Sequence, residues 1–142
     1  MAFALDTPRG YSIECLNTAV HNREDFYCGV EALDTFLRAQ ASQNQSKNIS
    51  VTHVLLLEEN VQPEATTRPV IGYVTLVNSV LPLAEASDRV KKLTRLAMLP
   101  AILLARMAVD HRHQGKKLGE FLLMYAVKCK GLFLKCQDVM RS

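Results

Sequence analysis

A chain of 142 residues has room for one domain, and its 49% hydrophobic and 22% charged content is that of a chain that buries a core rather than staying disordered. A formal net charge of +3 is compatible with an anionic ligand or with RNA but too small to argue for either alone. The opening MAFALDTPRGYS lacks the basic and apolar regions of a secretory signal, and no apolar run reaches membrane-spanning length. Cys15, Cys28, Cys129 and Cys136 follow no zinc-ligand spacing, so the expectation is no metal and four reduced thiols in a cytoplasmic protein.

In chain order, residues 11–16 alternate like a short first strand. Val30, Leu33, Phe36, Leu37 and Gln40–Ala41 then recur at helical spacing, which predicts a helix over residues 30–45 with one face on a sheet. The polar SQNQSKN ends it. SVTHVLLLE (50–58) and PVIGYVTLVN (69–78) are β-branched and aliphatic, and a polar loop with Pro63 between them predicts an antiparallel hairpin. LAEASDRVKKLTRL reads as a short helix with a basic face of Arg89, Lys91, Lys92 and Arg95, and Pro100 closes an irregular stretch. AILLARMAVD (101–110) has the doubly apolar character of a central strand. After HRHQGKKLG, Leu118, Phe121, Leu122, Tyr125, Ala126 and Cys129 form the core-facing stripe of a second helix. This order describes an α+β or α/β domain over residues 1–142 that lacks its last layer.

Chemistry concentrates in RMAVDHRHQGKKLG, residues 106–119. A buried strand runs through a loop holding Gly115 and Gly119 straight into a helix. Unpaired backbone N–H groups at a helix start, with the positive end of the macrodipole, attract an anion such as pyrophosphate. Arg112, Lys116 and Lys117 add positive charge beside them. An ordinary tight strand-to-helix connection is the alternative.

VDHRHQGKKLGEFLL resembles the coenzyme-A loop of GNAT acetyltransferases, in which Arg or Gln is followed after two residues by Gly and then, one residue on, by Gly or Ala. Arg112 and Gly115 take the first and fourth positions, while Lys117 stands where the family has a small residue. Its long side chain either crowds the pyrophosphate or turns outward and adds a cation. A second segment, FYCGVEALDTFLRAQASQNQSKN, resembles the GNAT toxins encoded beside ribbon-helix-helix antitoxins, through Cys28-Gly29, Leu33-Asp34, Phe36-Leu37 and Gln43-Asn44-Gln45. VIGYVTL (70–76) and LPAILLARMAVD (99–110) extend the similarity.

The resemblance implies a GNAT fold, a mixed and mostly antiparallel sheet with helices on both faces. It also implies acetyl transfer from acetyl-CoA to the α-amine of aminoacyl-tRNA, which blocks translation. Met107 and Val109 would pair with the pantetheine arm, and Gln114, Gly115, Lys116, Lys117, Leu118 and Gly119, with Arg112, would hold the pyrophosphate. Arg89, Lys91, Lys92 and Arg95 would face tRNA phosphates, against the plainer reading of a solvated helix face. An antitoxin and a second copy of the chain are the implied protein partners. The family's acid is a tyrosine in a Phe-Tyr-x-x-Phe-Gly-Phe-like stretch, whereas the sequence after Lys128 reads CKGLFLKCQDVMRS. The expectation is therefore a C-terminally shortened relative without the last strand–helix–strand, with LFL (132–134) as a weak replacement strand and no assignable catalytic residue. The alternatives are an inactive remnant that binds only coenzyme A or an antitoxin, and an acetyltransferase acting on a small amine.

Tyr125 lies on the buried stripe and reads as a core residue. His111 and His113 read as exposed loop histidines, His53 as a satisfied sheet residue, and Cys28 as a thiol that direct acetyl transfer does not need.

Overall fold

The computed structural model describes residues 8–58, 67–82, 84, 88–92, 98–130 and 133–136. Its elements are β1 (Tyr11–Cys15), β2 (His21–Asn22), a helix α1 over residues 31–46, β3 (Val51–Leu57), β4 (Arg68–Pro82), α2 (Asp88–Lys91), β5 (Met98–Val109), α3 (Leu118–Lys130) and β6 (Phe133–Cys136). The sheet order is β1-β3-β4-β5-β6, with β2 paired in parallel to the start of β4. All main pairings are antiparallel except β5–β6, which is parallel.

The alternation of the strands divides the core into two layers. Val54, Leu56, Val70, Tyr73 and Ala108 pack one face against Leu33, Phe36, Leu37 and Ala41 of α1 and against Phe26 and Cys28. Leu55, Val74, Met107 and Val109 pack the other face against Leu118, Phe121, Leu122, Tyr125 and Ala126 of α3. Helices thus cover both faces, and the stripes legible in the sequence are the buried ones. At Gly72 a Cβ would meet the Ala108 carbonyl at 3.1 Å and Leu122 at 3.2 Å, so this position lets α3 settle close to the sheet.

Several bounds differ from the sequence reading. β4 and β5 are longer than the runs at 69–78 and 101–110, and Pro100 lies inside β5 opposite Val80 instead of ahead of the strand. The ladder carries them past the polar Asn78 and Ser79, both exposed. After α3 a strand does follow: β6 pairs along Ile102–Leu104, close to where LFL suggested it.

α1 is not uniform. Between α-helical Glu31–Thr35 and Ala41–Ser46 lies a π-helical turn, Phe36–Gln40, closed by the Ala41 N–H on the Phe36 carbonyl. Such wide turns release carbonyls from the regular ladder. Arg23 donates to the Leu37 and Arg38 carbonyls at 3.2 and 3.1 Å, and Arg106 lies over the Phe36 ring at 4.6 Å. The Gln-rich end of the helix is equally engaged, since Gln45 donates to the Leu16 carbonyl and accepts from the Thr52 N–H.

Inside the sheet, the Thr52 and Thr75 hydroxyls form a buried hydrogen bond of 2.8 Å. Removing one partner leaves the other unsatisfied, whereas removing both does not. Thr75→Val is expected to cost about 1–3 kcal/mol, and Thr52→Val/Thr75→Val to recover most of it. Urea unfolding of the three chains checks this; a double variant as unstable as the sum of the singles would contradict it.

Candidate active site at the end of strand β5

Among the described residues, β5 has an edge without a partner strand where the resemblance places the pantetheine contacts. Thr75 pairs with Arg106 but Leu76 with Leu104, so Ala105 is an extra residue that bulges from the ladder. β6 pairs with β5 only up to Leu104, and among the described residues no strand pairs with that edge beyond it. The Asp110 N–H donates to the Ile71 carbonyl at 2.7 Å, which makes Gly72 and Val109 a non-hydrogen-bonded pair. Val74 and Met107, two residues back in the same register, have the same character. The backbone N–H and C=O groups of Met107 and Val109 therefore point away from β4, toward the open edge, while their side chains are buried against α3. The Val109 carbonyl is already engaged by Gln114 Nε2 at 2.9 Å.

Beyond Val109 the chain turns around Asp110, which is fully buried. Its carboxylate accepts from the Arg112 N–H (3.0 Å), Arg112 Nε (2.9 Å), Arg112 Nη2 (3.3 Å) and the Tyr27 N–H (3.2 Å). Burial pushes the carboxyl up, but the Arg112 side-chain and backbone bonds, the Tyr27 N–H and the guanidinium charge outweigh it, so its pKa lies below the ordinary value. Asp110 carried no distinct signal in the sequence beyond being a residue type favoured as an N-cap, the place it takes ahead of the short 3-10 turn His111–His113.

The loop is tied on its other side to the Phe26–Gly29 segment. The His111 N–H donates to the Tyr27 carbonyl (2.7 Å), and Gln114 Nε2 donates to the Cys28 carbonyl (3.0 Å). Cys28 N–H in turn donates to buried Asp34 (2.9 Å), Arg38 to the Phe26 carbonyl (2.8 Å) and Tyr73 Oη to the Leu33 carbonyl (2.7 Å). The Cys-Gly and Leu-Asp pairs are therefore a scaffold that seats the loop, not reactive groups. Burial pushes the Cys28 thiol up to about 11, which leaves it protonated at neutral pH.

The loop residues take different places. Gly115 has φ +84° and Lys117 φ +62°, both left-handed, and Lys117 accepts the first helical bond from the Phe121 N–H. Lys116 and Lys117 are exposed. Leu118 belongs to the core and has only its backbone to offer, and Gly119 is buried. Arg112 is half-exposed and held edge-on by Asp110. His113 is half-buried beside the Tyr11 ring, and its pKa is lowered by burial and by Lys116.

The remaining residues are elsewhere. Arg89, Lys91 and Lys92 are exposed around α2 at the far end of the β4–β5 hairpin, roughly 35 Å of strand from the Asp110 loop; Arg95 lies outside the described residues. Tyr125 is buried, with its hydroxyl 3.2 Å from His53 Nδ1, as a core tyrosine should be. Among the described residues no group of His, Cys, Asp and Glu could hold a metal ion, and no helix is long and apolar enough to cross a membrane.

A mixed sheet covered by helices on both faces, with a bulged strand β5 that leads into a basic strand-to-helix loop, defines the GNAT acyltransferase fold. No protein-family model matches the chain. The tRNA-acetylating toxin of Mycobacterium tuberculosis is 30% identical over 118 residues, 83% of this chain and 65% of that protein. The structure of AtaT complexed with acetyl-methionyl-tRNAfMet superposes with a TM-score of 0.73 at 27% identity, covering 84% of this chain and 68% of that one. That of a tyrosine-to-phenylalanine AtaT toxin bound to the C-terminus of the antitoxin AtaR and acetyl-CoA has a TM-score of 0.65 at 25% identity, covering 84% and 65%. The chain closely resembles the GNAT toxins of toxin–antitoxin systems, and it spans about two-thirds of the length of the curated relative it matches.

Two outcomes test the loop. A left-handed lysine costs roughly 1–2 kcal/mol, partly offset in a glycine variant by the freer unfolded chain, so Lys117→Gly should gain about 0.5–1 kcal/mol in stability. Lower stability on urea unfolding would show that the lysine side chain holds the loop. For Asp110 the folded pKa is depressed, so its contribution is complete above the ordinary value of about 3.9 and fades as pH falls through the folded value. Asp110→Asn should be less stable than wild type at neutral pH, with the gap closing below about pH 4. A gap that stays constant through the acid range would rule out the carboxylate charge as its cause.

Proposed function

We propose that the chain is a toxin-type N-acetyltransferase that moves the acetyl group of acetyl-CoA to the α-amine of aminoacyl-tRNA and so blocks translation. The observation that carries this reading is the junction of the open Met107–Val109 edge with the left-handed loop at Gly115 and Lys117 and the start of α3. The edge would take the amides of the pantetheine arm. Arg112, Lys116 and the loop amides from Gln114 to Gly119 would hold the pyrophosphate. Two similar proteins bear on the substrate: one is a tRNA-acetylating toxin, and the other is complexed with an acetylated aminoacyl-tRNA.

In the reaction the neutral amine attacks the thioester carbonyl, forming the C–N bond. Collapse of the tetrahedral adduct breaks the C–S bond, the amine gives up its proton, and an acid protonates the departing thiolate. No described residue is assigned as that acid: Tyr125 is committed to His53 in the core. A ribbon-helix-helix antitoxin is the proposed protein partner, consistent with AtaT bound to AtaR, and the cytoplasm the proposed site of action. A remnant that binds acetyl-CoA or an antitoxin without turnover is the competing reading.

Thermal unfolding with and without acetyl-CoA tests the first half. Ligand at 100 times its dissociation constant adds about 2.7 kcal/mol, which is several degrees for a domain of this size. An upward shift, followed by transfer of labelled acetyl to charged tRNA, is the expected result. Binding without transfer would establish the remnant, and transfer to polyamines alone would move the substrate to small amines.

A further inference from the structure

Tyr27 is 54% exposed although every polar group of its backbone is fixed. Its N–H is held by Asp110, and its carbonyl accepts both the His111 N–H and His111 Nδ1, the latter at 3.0 Å. The Tyr27 and His111 rings meet edge to face, with centroids 5.1 Å apart and planes at 77°. This arrangement covers one face of one ring and leaves the others open. Arg112 follows directly, its planar guanidinium half-exposed and oriented by Asp110. Three flat π-systems therefore gather where the chain enters the basic loop, and none of them is needed to fill the core.

We infer that Tyr27, braced edge to face by His111, forms a stacking ledge for the adenine ring of the coenzyme-A cosubstrate, an inference that rests on the acetyl-transfer reading. The rings adjoin the loop, since the His111 N–H and Gln114 Nε2 bond the Tyr27 and Cys28 carbonyls, so a nucleotide whose pyrophosphate sat on the loop amides would have them within reach. Rings already fixed lose little freedom when a base stacks on them, so the contact turns into affinity with small entropic loss. A carbonyl only accepts, so Nδ1 of His111 carries the proton toward Tyr27. The ledge gives the site a preference for the complete nucleotide thioester over shorter pantetheine thioesters.

Calorimetric titration of the full chain with acetyl-CoA and with acetyl-phosphopantetheine, which lacks the adenosine nucleotide, tests this. Tyr27→Ala should weaken acetyl-CoA about tenfold, the loss of one base–aromatic stack, and leave acetyl-phosphopantetheine unchanged. Tyr27→Phe should behave as wild type. Equal losses for both thioesters would reduce Tyr27 to a loop support, and no loss for either would leave the ring idle; both results overturn the ledge. Loss of charged-tRNA binding with acetyl-CoA affinity intact would assign the ring to an RNA base and overturn it too. If wild type binds acetyl-phosphopantetheine as tightly as acetyl-CoA, the nucleotide makes no contact and the ledge alone falls. If it binds neither thioester, the acetyl-transfer reading falls first.

Discussion

The buried carboxylate of Asp110 is the constraint around which the site is arranged. A charge withdrawn from water needs compensating donors, and here four N–H groups from two separate chain segments supply them. One donor belongs to the Phe26–Gly29 segment and the others to the loop itself. Satisfying this one group therefore joins the α1 layer to the strand-to-helix connection. It also fixes Arg112, whose half-exposed guanidinium is held by Nε and Nη2 on the carboxylate. The same segment is joined a second time by Gln114 on the Cys28 carbonyl, so the connection is doubly tied.

Much of the architecture was legible because burial leaves a period in the sequence. The stripe Leu33, Phe36, Leu37, Ala41 and the stripe Leu118, Phe121, Leu122, Tyr125, Ala126 are the buried faces of α1 and α3. The strands were found for the same reason, but their ends were not. Asn78, Ser79 and Pro100 look like the close of a strand, yet the β4–β5 ladder carries them because each strand supplies the other's backbone partners. β2, two residues long, leaves no pattern at all. The π-helical turn is likewise silent, since what serves it is a non-local contact: Arg23, fourteen and fifteen residues earlier, takes up the Leu37 and Arg38 carbonyls.

The site was legible in a different way. Gly115 and the cluster of cations made an anion-binding connection the expectation, and the resemblance narrowed it to a pyrophosphate seat. What periodicity and motif could not show was the state of each side chain. Arg112 carries a carboxylate partner, Lys117 is exposed and left-handed, and Leu118 is committed to the core. The cysteine and aspartate that make the upstream segment recognisable are structural, with Asp34 capping the Cys28 amide. A distinctive motif here records how a loop is held, while the edge of Met107 and Val109 presents backbone groups that any residue could contribute.

The wide turn in α1 has a bearing on how this helix changes over time. A one-residue insertion or deletion in a regular helix rotates everything beyond it by about 100° and turns the buried face outward. At Phe36–Gln40 the ladder already accommodates a longer loop of backbone, with Arg23 serving the displaced carbonyls. Length variation among homologous helices of this kind should collect at that turn. Elsewhere the same change would pull Gln45 away from Leu16 and Thr52 and uncouple the helix from the sheet.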